Sequence, residues 1–172
     1  PNIFDLWMNI LKKVPNSVFW ILVSNTYASE NLKIEAKQRG VDENRIIFAK
    51  KIAVNDHLKR LKLADLFLDT FPCNAHTTAS EAIRMGLPII TISGEGFASR
   101  VAASILNQVN LKELVVKNEE DYQNLAINLA TNKLKFEEIK NNLKRSLKNS
   151  SLYNSKEFTK NLEDVYIKLL NK

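Results

Sequence analysis

The sequence predicts an α/β fold: a Rossmann-like, doubly wound parallel sheet followed by a helical C-terminal extension. Three observations carry this expectation. Short apolar runs alternate with helix-periodic segments from Ile3 to about Val116. The connections between them are short, as in repeated strand–helix units. After Asn118 the strand-like runs stop and only helical periodicity remains.

Taken in order, Ile3, Leu6, Trp7, Ile10 and Leu11 recur at helical spacing and predict a first helix that ends near Val14 and Pro15. Val18 to Val23 is a continuous apolar run, the pattern of a strand covered on both faces. A polar loop from Ser24 to Ser29 leads to a helix over Glu30 to Arg39, closed by Gly40. Arg45 to Phe48 reads as the second strand, and a short helix begins at Asn55 or Asp56 and carries His57, Leu58 and Leu61. Leu66 to Asp69 is the third strand, Thr77 to Met85 the next helix and Pro88 to Ile92 the fourth strand. Gly86 ends that helix and Pro88 prevents its continuation. Phe97 to Leu106 reads as helix and Leu114 to Val116 as a short fifth strand. The extension from about Glu119 consists of helices over Glu119 to Thr131, Phe136 to Lys148 and Ser155 to Asn171. The last carries Phe158, Leu162, Val165, Tyr166 and Leu169 on one stripe, which is expected to be a packing face.

A chain of 172 residues fits a single domain, 1–172, large enough to bury a core. The formal net charge of +6 comes mainly from lysines scattered along amphipathic segments. Without clustering or interleaved aromatics, they argue for solvated helix faces and against nucleic-acid binding. Cys73 is the only cysteine, so no intramolecular disulfide forms, and a reducing, cytoplasmic setting is expected. Cys73 reads as a small buried residue at a strand end. Two histidines and one cysteine so scattered do not make a metal site. No apolar run has the length of a membrane span and no signal peptide leads the sequence. The start at Pro1 without methionine suggests a piece of a longer protein.

The chemistry concentrates between Phe71 and Gly86. The loop after the third strand delivers His76, Thr77 and Thr78 to the first turn of a helix. Free backbone N–H groups and the positive dipole end meet there, a setting suited to phosphate. The two hydroxyls add donors, and Glu81, one turn on, is placed to accept from a sugar hydroxyl. The competing reading is a helix cap by Thr77 or Thr78, with Glu81 completing a capping box. In open parallel sheets ligands bind beyond the carboxyl ends of the strands. Here these are the loops Ser24 to Ser29, Ala49 to Asp56 and Thr70 to Thr78. A nucleotide across the last two would put phosphates on Thr77 and Thr78 and its base near His57, with Arg60 one turn further on. His57 also reads simply as an exposed histidine at a helix start.

Leu63 to Thr70, Cys73 to Thr78 and Gly94 to Ser104 closely resemble the C-terminal half of the O-GlcNAc transferase and SPINDLY-like glycosyltransferase family, a GT-B fold. Trp7 to Trp20 and Asn44 to Phe48 fall in matching positions, so the resemblance spans essentially the whole chain. It implies the donor-nucleotide-binding half of a metal-independent, inverting protein O-glycosyltransferase, with UDP-GlcNAc as donor and Ser or Thr of a protein as acceptor. It implies no cofactor beyond the nucleotide sugar. His57 matches a histidine that packs on the uracil, Thr77 and Thr78 the diphosphate-binding pair, and His76 their neighbour beside the donor. Arg60 belongs to the same nucleotide-sugar-binding set. Glu81 stands where the O-GlcNAc enzymes have an Asp that holds the ribose. Two departures leave UDP-GlcNAc, UDP-glucose and a GDP-sugar all open as donor: Val54 replaces a nucleotide-side lysine and Ala75 a glycine. The family's catalytic lysine, its other Rossmann half and its acceptor-gripping helical repeats all correspond to positions upstream of Pro1. The isolated chain is therefore expected to be inactive. A non-catalytic nucleotide or phosphosugar-binding module, and an unrelated doubly wound domain, are the alternative readings.

Overall fold

The computed structural model describes residues 2–23 and 25–171; Pro1, Lys172 and Ser24 of the expected first loop lie outside the described residues. Helix α1 (Asn2–Lys13) buries Phe4, Trp7, Met8, Ile10 and Leu11 along one stripe. Strand β1 (Phe19–Leu22) follows, then α2 (Thr26–Gln38), β2 (Ile46–Ala49), α3 (Val54–Leu61), β3 (Phe67–Leu68) and α4 (Thr77–Arg84). The chain continues through β4 (Ile89–Ile92), α5 (Val101–Gln108), β5 (Val115–Val116), α6 (Glu119–Thr131), α7 (Lys133–Asn149) and α8 (Ser155–Leu170).

Every strand pairing among the described residues is parallel. β1 lies on β2 with Phe19 opposite Ile46. β4 sits between β3 and β5, with Phe67 opposite Ile89 and Thr91 opposite Val115. Ile89, Ile90 and Thr91 are fully buried, as a strand covered by helices on both faces requires. β1 departs from that expectation: Val18 and Leu22 are exposed, so the apolar run is only half covered. Phe19 packs on Trp7, ring centroids 4.7 Å apart. Arg45 ties the end of α1 to β2 by donating to the carbonyls of Leu11, Val14 and Ser17 at 2.8–2.9 Å.

Gly86 has φ of +82°. Leu87 N–H reaches back to Ala82 O and Gly86 N–H to Ile83 O, both at 2.9 Å. That double bond pattern closes α4 with a left-handed residue that glycine supplies without strain. Asn110, φ +56°, ends α5 in the same way without glycine.

Several boundaries differ from the sequence reading. α2 starts at Thr26 rather than Glu30, because Asn25 caps it by accepting from Tyr27 N–H at 2.9 Å. α3 starts at Val54, ahead of Asn55 and Asp56, with no side-chain cap. Phe97–Ser99 is a separate 3-10 turn, and regular helix resumes only at Val101.

The helices after Asn118 split into two groups. α6 and α7 join the main core through Tyr122, Ala126, Leu129, Ile139 and Leu143. α8 buries nothing. Phe158, Leu162, Val165, Tyr166 and Leu169, expected to be a packing face, are all exposed.

Candidate functional site

The loop from β3 to α4 is built around Asp69. Its side chain is fully buried. One carboxylate oxygen accepts from Thr70 N–H at 2.8 Å and Ala75 N–H at 2.7 Å. The other accepts from Thr91 Oγ1 at 2.6 Å, and the Asp69 carbonyl accepts from the Tyr122 hydroxyl at 2.8 Å. Burial raises the Asp69 carboxyl above its ordinary value, against hydrogen bonds from Thr91, Ala75 and Thr70 that favour the charged form. Asn74 adds a second anchor, donating from its side chain to the carbonyls of Thr70 at 3.0 Å and Ile92 at 3.3 Å. Ala75, which stands where the resembling family has glycine, has no positive φ, so its Cβ is accommodated.

This loop delivers His76 to the cap position of α4, and its imidazole approaches Ala98 O at 3.4 Å. Among the described residues, neither His76 nor any other side chain caps the helix. The first intrahelical bond runs from Ser80 N–H to His76 O at 3.0 Å. The N–H groups of Thr77, Thr78 and Ala79 precede it and have no helical acceptor. The Thr77 and Thr78 side chains are exposed beside them. The capping reading of these residues is thereby removed: Thr77 already lies inside the helix and Glu81 turns elsewhere. Tyr153 steadies this turn from behind, donating its hydroxyl to Ser80 O at 2.7 Å.

Glu81 faces α3. Its carboxylate lies 3.7 Å from His57 Nε2. His57 Nδ1 accepts from Arg60 Nε at 3.1 Å. Arg60 is itself held by Lys50 O at 2.7 Å, and its guanidinium carbon lies 5.6 Å from the Trp20 ring centroid. Because Arg60 cannot accept, His57 Nδ1 must carry the lone pair, and the neutral ring then bears its proton on Nε2, toward Glu81. His57 is thus half-buried and oriented, rather than a free histidine at a helix start.

The structure brings His57, Arg60 and Glu81 together on the facing sides of α3 and α4, with His76, Thr77 and Thr78 at the start of α4. Sequence reasoning missed the supports: Asp69, Asn74, Trp20, Tyr122 and Tyr153. Only Asp69 carried a signal, as a carboxylate ending an apolar run. Cys73, expected to be buried, is exposed, because Asn74 and not Cys73 points into the fold. The described residues hold no group of three or more His, Cys, Asp or Glu able to bind a metal ion. No described helix is long and apolar enough to cross a membrane. Two concavities of about 590 and 260 Å³ lie elsewhere, among α5, α7 and α8.

The family model for glycosyl transferase family 41 matches residues 1–162. The chain belongs to glycosyl transferase family 41. Among its curated relatives is a probable UDP-N-acetylglucosamine–peptide N-acetylglucosaminyltransferase, SEC, of Arabidopsis thaliana, 36% identical over 99% of this chain and 18% of its own length. The corresponding transferase of Caenorhabditis elegans is 33% identical over 96% of this chain and 14% of its length. An O-GlcNAc transferase mutant of Thermobaculum terrenum superposes with a TM-score of 0.89 at 30% identity, covering 96% of this chain and 32% of that one. This family 41 chain therefore has the Rossmann-like, parallel-sheet architecture of the GT-B catalytic region, and it spans less than a fifth of the length of those two curated relatives.

Proposed function

We propose that this chain is the donor-nucleotide-binding half of a protein O-glycosyltransferase that uses UDP-GlcNAc and modifies Ser or Thr of a protein. The observation that carries the proposal is the uncapped start of α4, with Thr77 and Thr78 exposed beside its free N–H groups, one turn from the His57–Glu81 pair. The diphosphate binds the Thr77 and Thr78 hydroxyls and the first-turn amides, where the helix dipole favours negative charge. The uracil packs on His57, whose orientation Arg60 fixes. Glu81 accepts from ribose hydroxyls, and His76 stands beside the phosphate to which the sugar is attached. The names of the curated relatives support the same donor and a peptide acceptor.

The reaction is direct, inverting displacement at the anomeric carbon by an acceptor hydroxyl. Charge grows on the departing diphosphate, and preorganised donors stabilise it without a metal ion. This chain supplies the amides and hydroxyls of α4. The lysine, the other Rossmann half and the acceptor-gripping repeats implied by the family resemblance are not among these 172 residues, so the isolated chain is expected to bind donor without turning it over. The test offers several nucleotide sugars and a peptide to the intact protein and to this chain, with transfer read by mass spectrometry. The proposal expects N-acetylglucosamine on Ser or Thr from the intact protein alone. No transfer from any sugar donor by the intact protein would overturn it.

A further inference from the structure

Phe97 stands at the phosphate end of the proposed site with its side chain 77% exposed, although its backbone is tightly held. Gly94 N–H donates to Ser99 O at 2.9 Å, Ser99 Oγ donates to Gly96 O at 2.9 Å, and Arg100 N–H donates to Phe97 O at 3.1 Å. The next carbonyl, Ala98 O, accepts from Asn74 N–H at 2.8 Å. The turn is so compact that a Cβ on Gly94 would come within 2.6 Å of Ser99 Oγ. The Phe97 ring lies 6.0 Å from the His76 ring, edge-on at 89°. A large apolar face is thus fixed beside the residue that precedes Thr77.

The two sides of α4's start are built from different sheets, β1–β2 and β3–β4–β5. His57 reaches Glu81 from α3, which follows β2. Phe97 comes from the loop after β4, the strand between β3 and β5. In a nucleoside diphosphate sugar the base and the hexose lie at opposite ends of the diphosphate. With the base at His57 and the phosphates at Thr77 and Thr78, the hexose falls on the His76 and Phe97 side. We propose that Phe97 is the platform on which the transferred hexopyranose packs, a specificity-determining residue for the donor sugar; this rests on the nucleotide-binding reading above. A pyranose ring carries C–H groups on its faces and hydroxyls at its rim. Packing that face on an aromatic ring removes apolar area of both from water. Exposed Glu95 and Arg100 on the same loop leave polar groups for the rim.

The experiment titrates UDP and UDP-N-acetylglucosamine separately, by calorimetry, into the wild-type chain, Phe97→Ala and Phe97→Tyr. The platform predicts that Phe97→Ala weakens UDP-N-acetylglucosamine about five- to tenfold and UDP less than twofold, while Phe97→Tyr keeps both affinities. Equal losses for the two ligands, or no loss for either, would overturn the platform and leave nucleotide binding standing. A wild-type chain that binds neither ligand would overturn the nucleotide-binding reading and the platform with it. Because the Phe97 side chain lies outside the core, unchanged melting curves verify that each variant is folded.

Discussion

Arg60 donates from Nε to His57 Nδ1 across 3.1 Å, and this bond decides which face of the imidazole the cleft presents. The proton is left on Nε2, 3.7 Å from Glu81. Lys50 O and the Trp20 ring hold the arginine in turn, so orientation passes from the sheet through α3 to the side of α4. Arg60→Met keeps most of the stem and removes the donor. UDP affinity is expected to fall about fivefold, as the ring loses the bond that orients it. Nitrogen NMR of His57 is expected to show the Nε2–H tautomer losing population. An unchanged tautomer ratio would contradict the positioning role.

Thr77→Val and Thr78→Val separate binding from stability. Each lost hydroxyl is expected to cost about 1.5–3 kcal/mol of charge-assisted hydrogen bonding to the diphosphate. Neither side chain caps α4, so melting temperatures should stay within a degree or two. Donor affinity and melting measured on one preparation check both halves. A lowered melting temperature with unchanged affinity is the opposite outcome.

Glu81 faces His57 rather than its own helix start, so its removal should be felt in nucleotide binding. Glu81→Ala is expected to weaken UDP and GDP alike, since both carry the same ribose. Glu81→Asp keeps a carboxylate that accepts paired hydroxyl bonds and should bind nucleotide within a fewfold of wild type. Calorimetric titrations decide, and equal dissociation constants for wild type and Glu81→Ala would remove Glu81 from the site.

Asp69 is the keystone of the loop rather than a ligand. Asp69→Ala strands Thr70 N–H, Ala75 N–H and the Thr91 hydroxyl, and is expected to destabilise the fold by about 3 kcal/mol. The pH dependence has a definite sign. Burial raises the folded-state value of Asp69 above the ordinary one, so the folded protein holds this proton more tightly than the unfolded chain. The stability it contributes is full below the ordinary carboxylate pKa and is lost as pH rises through the folded value. Denaturant unfolding of wild type and Asp69→Asn should therefore show wild type gaining on the variant as pH falls from 7 toward about 4. A gap moving the other way would mean that the donors outweigh burial.

The parts of this molecule written in local sequence were legible. Gly86 and Gly40 mark helix ends with positive φ, and the run from His76 to Glu81 marks the start of α4. What stayed hidden depends on partners far along the chain. Asp69 meets Thr91 22 residues away, and its carbonyl meets Tyr122 53 residues away; the periodicity of a single helix or strand reveals neither pair. The stripe on α8 shows a related gap, since amphipathic spacing reveals an apolar face but not what covers it. Asn110 ending α5 where glycine is usual, and Asn25 starting α2 early, reflect the chemistry of single side chains that periodicity ignores.

The central claim is that the start of α4 and the His57–Glu81 pair together form a nucleotide site. Proton–nitrogen NMR of the chain titrated with UDP to millimolar concentration tests it most directly, since a half-cleft is expected to bind between tens of micromolar and roughly millimolar. The account predicts saturable shifts at the amides of Thr77, Thr78 and Ala79 and at the His57 ring, with α6 and α7 unmoved. Shifts absent from Thr77 and Thr78 at millimolar UDP would contradict it.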